Sequence, residues 1–509
     1  MSTFDEPTLP GGEQVATGVE GLDNILAGGY SSNRIHLIEG QPGAGKTTLA
    51  LQFLLAGQEL GERALYITLS ETKDEIIHSA GTHGWALDGL EIFELVPPEL
   101  SLDASREQSV YYSSDLELGE TISMVMAEVE RVSPARVVFD SLSEIRLLSQ
   151  GALRYRRQVL ALKHFFAQRG CTVLFLDDLT QEMDDLNLHS LAHGVLRLEN
   201  RAVQFGAAQR HLRVFKMRGR AFRGGYHDLG IRPGEGVVVY PRLVAAEHHR
   251  EFDDNLPVSS GIGELDLLLG GGVDRGTATL VVGPAGAGKS TMCLQWQLAA
   301  HGRGERTLFI SFDETQRVFL KRARGMGIEL KGAIASGLFT FLAVDPAELS
   351  PGELTGIIRD HVERRDVRLI AIDSLSGFHH AMPEEGSLLL QMHELLSYLN
   401  HQGVVSHLVL AQHGLVGKLE STVDLSYLSD NVVLMRFFEA GGELKRALSV
   451  MKKRTGGHEA TIREYRIDSQ GVRVGDPLSG FQGVLSGVPA YSGVAATFLP
   501  DRDVISAGG

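Results

Sequence analysis

Short apolar runs recur along the chain, separated by stretches whose apolar residues repeat at helical spacing. In the first half they fall at residues 34–38, 64–69, 136–141, 171–176, 195–198 and 212–215. In the second half they return at 279–282, 308–312, 368–374, 407–410, 432–435 and 447–450. Strand-length runs alternating with helical patterns, such as those at 48–57 and 291–300, predict βαβ units with right-handed crossovers. The expected fold class is therefore α/β, each half a mainly parallel twisted sheet flanked by helices. The last two runs of each half have no helical pattern between them and are expected as antiparallel additions.

The halves are one pattern written twice. Thr17-Gly18-Val19-Glu20-Gly21-Leu22-Asp23 is echoed by Ser260-Gly261-Ile262-Gly263-Glu264-Leu265-Asp266, with Leu22 and Leu265 standing 243 positions apart. A chain of 509 residues also exceeds the size at which one core keeps growing. Two tandem domains are expected, at 1–246 and 247–476, with the charged, aperiodic stretch 245–255 as linker. A Gly-, Ser- and Val-rich tail, expected to be extended, occupies 477–509.

Directly after the first run of each half stands G-x-x-x-x-G-K-[ST]: Gly40-Gln41-Pro42-Gly43-Ala44-Gly45-Lys46-Thr47 and Gly283-Pro284-Ala285-Gly286-Ala287-Gly288-Lys289-Ser290. Glycines are needed because backbone N–H groups must turn inward around phosphate oxygens, and the lysine adds a fixed positive charge. Gly43, Gly45, Lys46, Thr47 and Thr48, and likewise Gly286, Gly288, Lys289, Ser290 and Thr291, are thus candidate ATP ligands. The Thr47 and Ser290 hydroxyls would hold Mg²⁺. Helices that start at these loops would aim their positive ends at the phosphates. The runs ending in Asp140-Ser141 and Asp373-Ser374 have the form of a Walker B strand, whose carboxylate orders the Mg²⁺ shell. A second strand leaves a carboxylate at its end in both halves, at Glu71 and Glu314. Those two also stand 243 apart, where ligands of open α/β sheets bind.

Composition narrows the partners. The net charge of −16 argues against a sequence-independent grip on nucleic acid. Hydrophobic residues at 43% and charged residues at 22% are ordinary for a globular protein. Two cysteines, Cys171 and Cys293, read as small core residues in a reducing compartment, which excludes a disulfide framework. The pairs His248-His249 and His379-His380 lack further ligands at metal spacing and read as polar side chains on the surface. No apolar run is long enough to span a bilayer and the start lacks a targeting pattern, so a cytoplasmic location is expected.

With the doubled P-loops, the pairs Glu71-Thr72 and Glu314-Thr315, Asp140-Ser141 and Asp373-Ser374, Lys216-Met217-Arg218-Gly219, Lys452-Lys453-Arg454 and Ile462-Arg463-Glu464-Tyr465, the chain up to its tail resembles the KaiC family. These are two-domain RecA-superfamily ATPases and autokinases of the bacterial circadian clock. The resemblance implies a double-ring homohexamer with ATP between neighbours. Lys216 and Arg218, and Lys452 and Arg454, would reach the next protomer's phosphates as an arginine finger does. It also implies a KaiB-like partner at the first ring, whereas the short tail lacks the amphipathic helix that a KaiA-like activator would engage. Two departures stand out. Where the family carries two adjacent carboxylates, the first copy has Ser70-Glu71, leaving Glu71 alone to orient or deprotonate water. The second copy keeps the pair, Asp313-Glu314, which suits a general base acting on a hydroxyl. At the family's Ser-Thr phosphoacceptor pair this chain has Ser426-Tyr427, so autokinase and autophosphatase chemistry would centre on Ser426, with Leu188 at the matching place in the first copy. Two other readings remain: a RecA-like DNA-dependent ATPase, disfavoured by the acidic balance, and a nucleotide-gated signalling scaffold with slow turnover.

Overall fold

The computed structural model describes residues 13–95, 114–149, 151–179, 186–201, 206–253, 256–380, 385–412, 426–469, 471–486 and 490–491. Contacts divide the chain into two compact units, Met1–Arg242 and Leu243–Gly509.

In the first unit, β1 (Ile35–Gly40) leads through the glycine-rich loop into α1 (Lys46–Glu59). There follow β2 (Ala64–Thr68), α2 (Lys73–Thr82), β3 (Glu91–Glu94), β4 (Arg136–Asp140), α3 (Ala152–Gln168), β5 (Thr172–Asp178), β6 (Gly194–Arg201), β7 (Gln209–Met217), β8 (Tyr226–Arg232) and β9 (Gly236–Tyr240). These nine strands form one sheet in the order β3-β2-β4-β5-β1-β6-β7-β8-β9. The second unit repeats it with β10 (Ala278–Gly283), α4 (Lys289–Gly302), β11 (Arg306–Ser311), α5 (Gln316–Gly325), β12 (Phe339–Ala343), β13 (Val367–Asp373), α6 (Glu385–His401), β14 (Val405–Ala411), β15 (Asn431–Ala440), β16 (Glu443–Lys453), β17 (Arg463–Asp468) and β18 (Gly471–Pro477). Its sheet order, β12-β11-β13-β14-β10-β15-β16-β17-β18, is the same order shifted by nine.

The P-loop strands β1 and β10 are central, and every residue of each is buried. That burial on both faces explains why apolar residues dominate them, with His36, Glu39 and Thr279 as the buried polar exceptions. In β1, Ile35 and Leu37 face one core and Ile38 the other, as the twofold period of a strand requires. Strands β1 to β6 run parallel, and β7 to β9 turn antiparallel. The run at 195–198 therefore differs from expectation: it pairs parallel with β1, and the antiparallel additions begin one strand later. The edge strands β3 and β12 were not read from the sequence, because they are short and only partly covered. In the tail, Phe481–Gln482 pairs with Ala490–Tyr491, and Val484 is buried beside Phe438. Residues 492–509 lie outside the described residues.

The sheet places the chemistry at one edge. Parallel pairing sets Gly40 beside Asp178 and Thr68 beside Asp140, so the carboxyl ends of β1, β2, β4 and β5 finish together. Gly283, Ala411, Ser311 and Asp373 finish together in the second unit.

Candidate nucleotide sites

Both loops have the backbone shape that bound phosphate demands. Gly43 and Gly45 have φ of 76° and 101°, and Gly286 and Gly288 of 78° and 96°, all left-handed. A Cβ on Gly43 would meet nothing within 4 Å, so the loop is open there, whereas one on Gly45 would meet Ile231 Cδ1 at 2.9 Å. Neither α1 nor α4 has a side-chain cap or an acidic residue in its first turn. Their leading N–H groups and positive ends are thus left for an anion. Thr48 and Thr291 continue the first turn, buried.

In the first unit, the buried Lys46 donates from Nζ to the carbonyls of Gly40 at 2.9 Å and Gln41 at 3.2 Å. It also pairs with Asp178 Oδ1 at 2.7 Å. Tyr66 Oη donates to Asp140 Oδ2 at 2.5 Å, and Asp140 also takes a hydrogen bond from Thr47. A hydroxyl beside a carboxylate at the mouth of a P-loop is the donor set that suits Mg²⁺. Burial raises the Asp140 pKa, with Asp178 adding to it, against the lowering effects of Tyr66, Lys46 and Thr47. Half-buried Glu71 is also raised, first by burial and then by Asp140, Glu75 and Asp178, with Lys46 opposing. Its loop is pinned by Thr68, whose Oγ1 donates to the Glu71 carbonyl at 2.7 Å and accepts from its N–H at 3.0 Å. Glu71 therefore lies within electrostatic reach of Asp140.

The second unit builds the same centre with different wiring. Lys289 donates to the Pro284 carbonyl at 2.8 Å, and burial lowers its pKa against the pull of Asp373. Asp373 takes a hydrogen bond from Ser290, and its pKa is raised by burial, with Asp313 adding to it and Ser290, Arg322 and Lys289 opposing. Asp313 Oδ2 accepts from Ser374 Oγ at 2.8 Å. In the first unit Ser70 stands in the place of Asp313, and the buried Ser141 Oγ, equivalent to that of Ser374, has no hydrogen-bond partner among the described residues. Glu314 is held by Arg322, at 2.7 Å from Nη2 and 3.3 Å from Nε.

The Lys-x-Arg motifs lie at the other end of the sheet, where β7 and β16 finish. Lys216 donates to the carbonyls of His189 and Ala192, and Arg218 to that of Ser190 at 2.7 Å. Lys452 donates to the carbonyls of Ser426 at 2.9 Å and Ser429 at 2.6 Å, and Arg454 to that of Tyr427 at 3.2 Å. The pair thus grips a turn of its own unit, and in the second unit that turn is the candidate acceptor segment. Ser426 and Tyr427 are both exposed; residues 421–425 lie outside the described residues. The surroundings of the two arginines differ. Arg218 shares a recess of about 240 Å³ with Arg34, Lys163 and His193, and burial plus Arg218 and Arg34 lower the Lys163 pKa. Arg454 instead pairs with Asp430 at 3.1 Å.

Sequence reasoning missed Asp178, Tyr66 and Arg322, and it named Ser374 without its bond to Asp313. Asp178 carried a usable signal, a carboxylate two residues past an apolar run. Tyr66 and Arg322 sit inside ordinary strand and helix patterns and became visible only through what they touch.

A nine-stranded, mainly parallel sheet with a P-loop on its central strand, found twice, defines a tandem RecA-like nucleotide-binding ATPase. The family profile described as "ATPase: KaiC" matches residues 15–244 and 258–479, and the chain belongs to that family. It is 26% identical over 491 residues to the "Circadian clock protein KaiC3" of Synechocystis sp. (strain ATCC 27184 / PCC 6803 / Kazusa), covering 94% of this chain and 95% of the relative. It is also 26% identical over 513 residues to the "Circadian clock oscillator protein KaiC" of Parathermosynechococcus lividus, covering 95% and 90%. With the protein of that name from Thermostichus vulcanus it shares 25% over 484 residues, covering 94% and 92%. Among the described residues, no helix is long and apolar enough to cross a membrane.

Proposed function

We propose that both units hydrolyse ATP, and that the second also transfers the γ-phosphoryl group to Ser426 of a neighbouring copy in a double-ring homohexamer. The observation that carries this is the repeated centre itself: an open P-loop, a hydroxyl–carboxylate pair and a further carboxylate at one sheet edge. In hydrolysis the water oxygen bonds to the γ-phosphorus, the bond to the β–γ bridging oxygen breaks and ADP leaves. The water proton passes to Glu71 in the first unit and to one carboxylate of the Asp313–Glu314 pair in the second. In the kinase step the Ser426 hydroxyl takes the place of water. Mg²⁺, held by Thr47 with Asp140 and by Ser290 with Asp373, would neutralise charge developing on the phosphates. Lys46 and Lys289 exchange their carbonyl partners for phosphate oxygens.

The trans role of Arg218 draws support from its recess. Arg34, Lys163 and Arg218 converge there with His193, no carboxylate lines the recess among the described residues, and such a cluster is relieved by an anion. Lys216 and Lys452 brace the strand ends from which Arg218 and Arg454 extend toward a neighbour. The names of the relatives support a place in timing or related signalling, and the family resemblance implies a KaiB-like protein as partner. The deciding experiment is phosphopeptide mapping after incubation with ATP. Label is expected on Ser426 and absent from Ser426→Ala and Lys289→Ala chains. Label confined to Tyr427 sinks Ser426 as the acceptor, and no label at all sinks the kinase reading and favours the slow signalling scaffold.

A further inference from the structure

Arg322 has no counterpart in the first unit. It lies on α5, and two of its nitrogens donate to the two oxygens of Glu314. Its Nη1 donates to Thr291 Oγ1 at 3.2 Å, in the first turn of the P-loop helix. The guanidinium lies over the ring of fully buried Phe319, 5.1 Å from its centroid. Glu314 is 20% exposed and Arg322 31%, so the pair is largely shielded from solvent. A fork-to-fork pair of this kind fixes direction as well as distance. In the first copy the residue 243 positions earlier is Ser79, too short and uncharged to hold Glu71.

The consequence shows in the bonding of the two second-site carboxylates. Asp313 accepts from Ser374, the residue after Asp373, while both oxygens of Glu314 are turned to the guanidinium. In the first unit Glu71 has Asp140 within electrostatic reach. A carboxylate with both oxygens committed to an arginine must break charge-assisted hydrogen bonds before it can take a proton from an attacking oxygen.

We propose that Arg322 is a positioning residue that withholds Glu314 from the proton-accepting place, leaving Asp313 to serve the second site. This rests on the reading that the second unit turns over ATP. It also explains how two copies of one domain come to work with carboxylates at different positions. Arg322 further ties that arrangement to the P-loop helix through Thr291.

The test uses full-length protein carrying Glu71→Gln to silence the first site, with phosphate release from ATP as readout. Asp313→Asn is expected to lower kcat more than about tenfold, and Glu314→Gln less than about threefold. Adding Arg322→Ser to Asp313→Asn frees Glu314 and should restore kcat at least about fivefold, with KM for ATP moving less than about twofold. That restoration should vanish when Glu314→Gln is added, and Arg322→Lys, which keeps a cation at Glu314, should not produce it. A purely structural role for Arg322 would not give rescue that depends on Glu314. Loss from Glu314→Gln as deep as from Asp313→Asn overturns the proposal, as does rescue that persists without Glu314. Should Arg322→Ser melt early, the comparison of Asp313→Asn with Glu314→Gln still decides. Absence of any turnover in the Glu71→Gln parent would instead remove the second-site ATPase reading, and the role of Arg322 with it.

Discussion

His36 and His407 occupy central strands of the two units and are fully buried, and burial lowers each pKa to about 3. His36 donates from Nε2 to the Ser31 carbonyl at 3.0 Å, while the His407 ring lies tilted against Trp296, centroids 4.4 Å apart, and neither of its ring nitrogens has a partner among the described residues. Both are neutral in the fold, whereas the unfolded chain binds their protons below about pH 6.5. Stability is therefore full above that value and declines as pH falls toward 3, by about 2 kcal/mol per histidine at pH 5. His407→Leu should flatten this decline for the second unit, measured as the change in urea midpoint between pH 7 and pH 5. An unchanged slope would mean that His407 does not titrate with unfolding. Arg136 shows the opposite solution, a buried charge kept because it is satisfied: Nε pairs with Glu62 at 2.5 Å, and Nη1 reaches the carbonyls of Ala16 at 2.8 Å and Phe53 at 2.7 Å. Neither histidine nor arginine could be ranked from sequence, since each sits in a strand run whose neighbours are unknown until the sheet forms.

Among the elements, the glycine loops separate folding from binding. An alanine Cβ at Gly288 would lie 2.1 Å from Ile467 Cδ1 at φ +96°, but one at Gly43 points into open space at φ +76°. Gly288→Ala should cost about 2–3 kcal/mol in the absence of nucleotide, from left-handed strain plus displacement of Ile467. Gly43→Ala should cost only the strain, about 1–2 kcal/mol, yet abolish ATP binding at the first site by filling the phosphate cradle. Thermal melting paired with calorimetric titration of ATP distinguishes the two, and equal melting temperatures would remove the role given to Ile467. The loops, α1, α4 and the Asp-terminated strands were legible because the glycine spacing and apolar runs are local signals. The placement of β6 was not, since a short run between turns does not say which neighbour it will pair with.

At the scale of the whole molecule the net charge is −16, which makes the cation cluster around Arg218 stand out. If Arg218 serves the phosphates of a neighbour, Lys46→Ala chains and Arg218→Ala chains should each lack first-site turnover. Mixtures should regain part of it, because an intact P-loop then meets an intact arginine. Phosphate release that is merely additive on mixing would confine Arg218 to its own chain.

By itself the sequence determined the duplication, the α/β class, the two P-loops and the strand-end carboxylates, because each follows from spacing along the chain. Only the tertiary structure decided which side chains meet at each centre. Tyr66 meets Asp140 in one unit, Ser374 meets Asp313 in the other, and Arg322 draws Glu314 aside. Such pairings depend on where a helix face or strand end comes to rest against another element. A hydrogen bond is decided within a few tenths of an ångström, a scale that residue spacing does not encode.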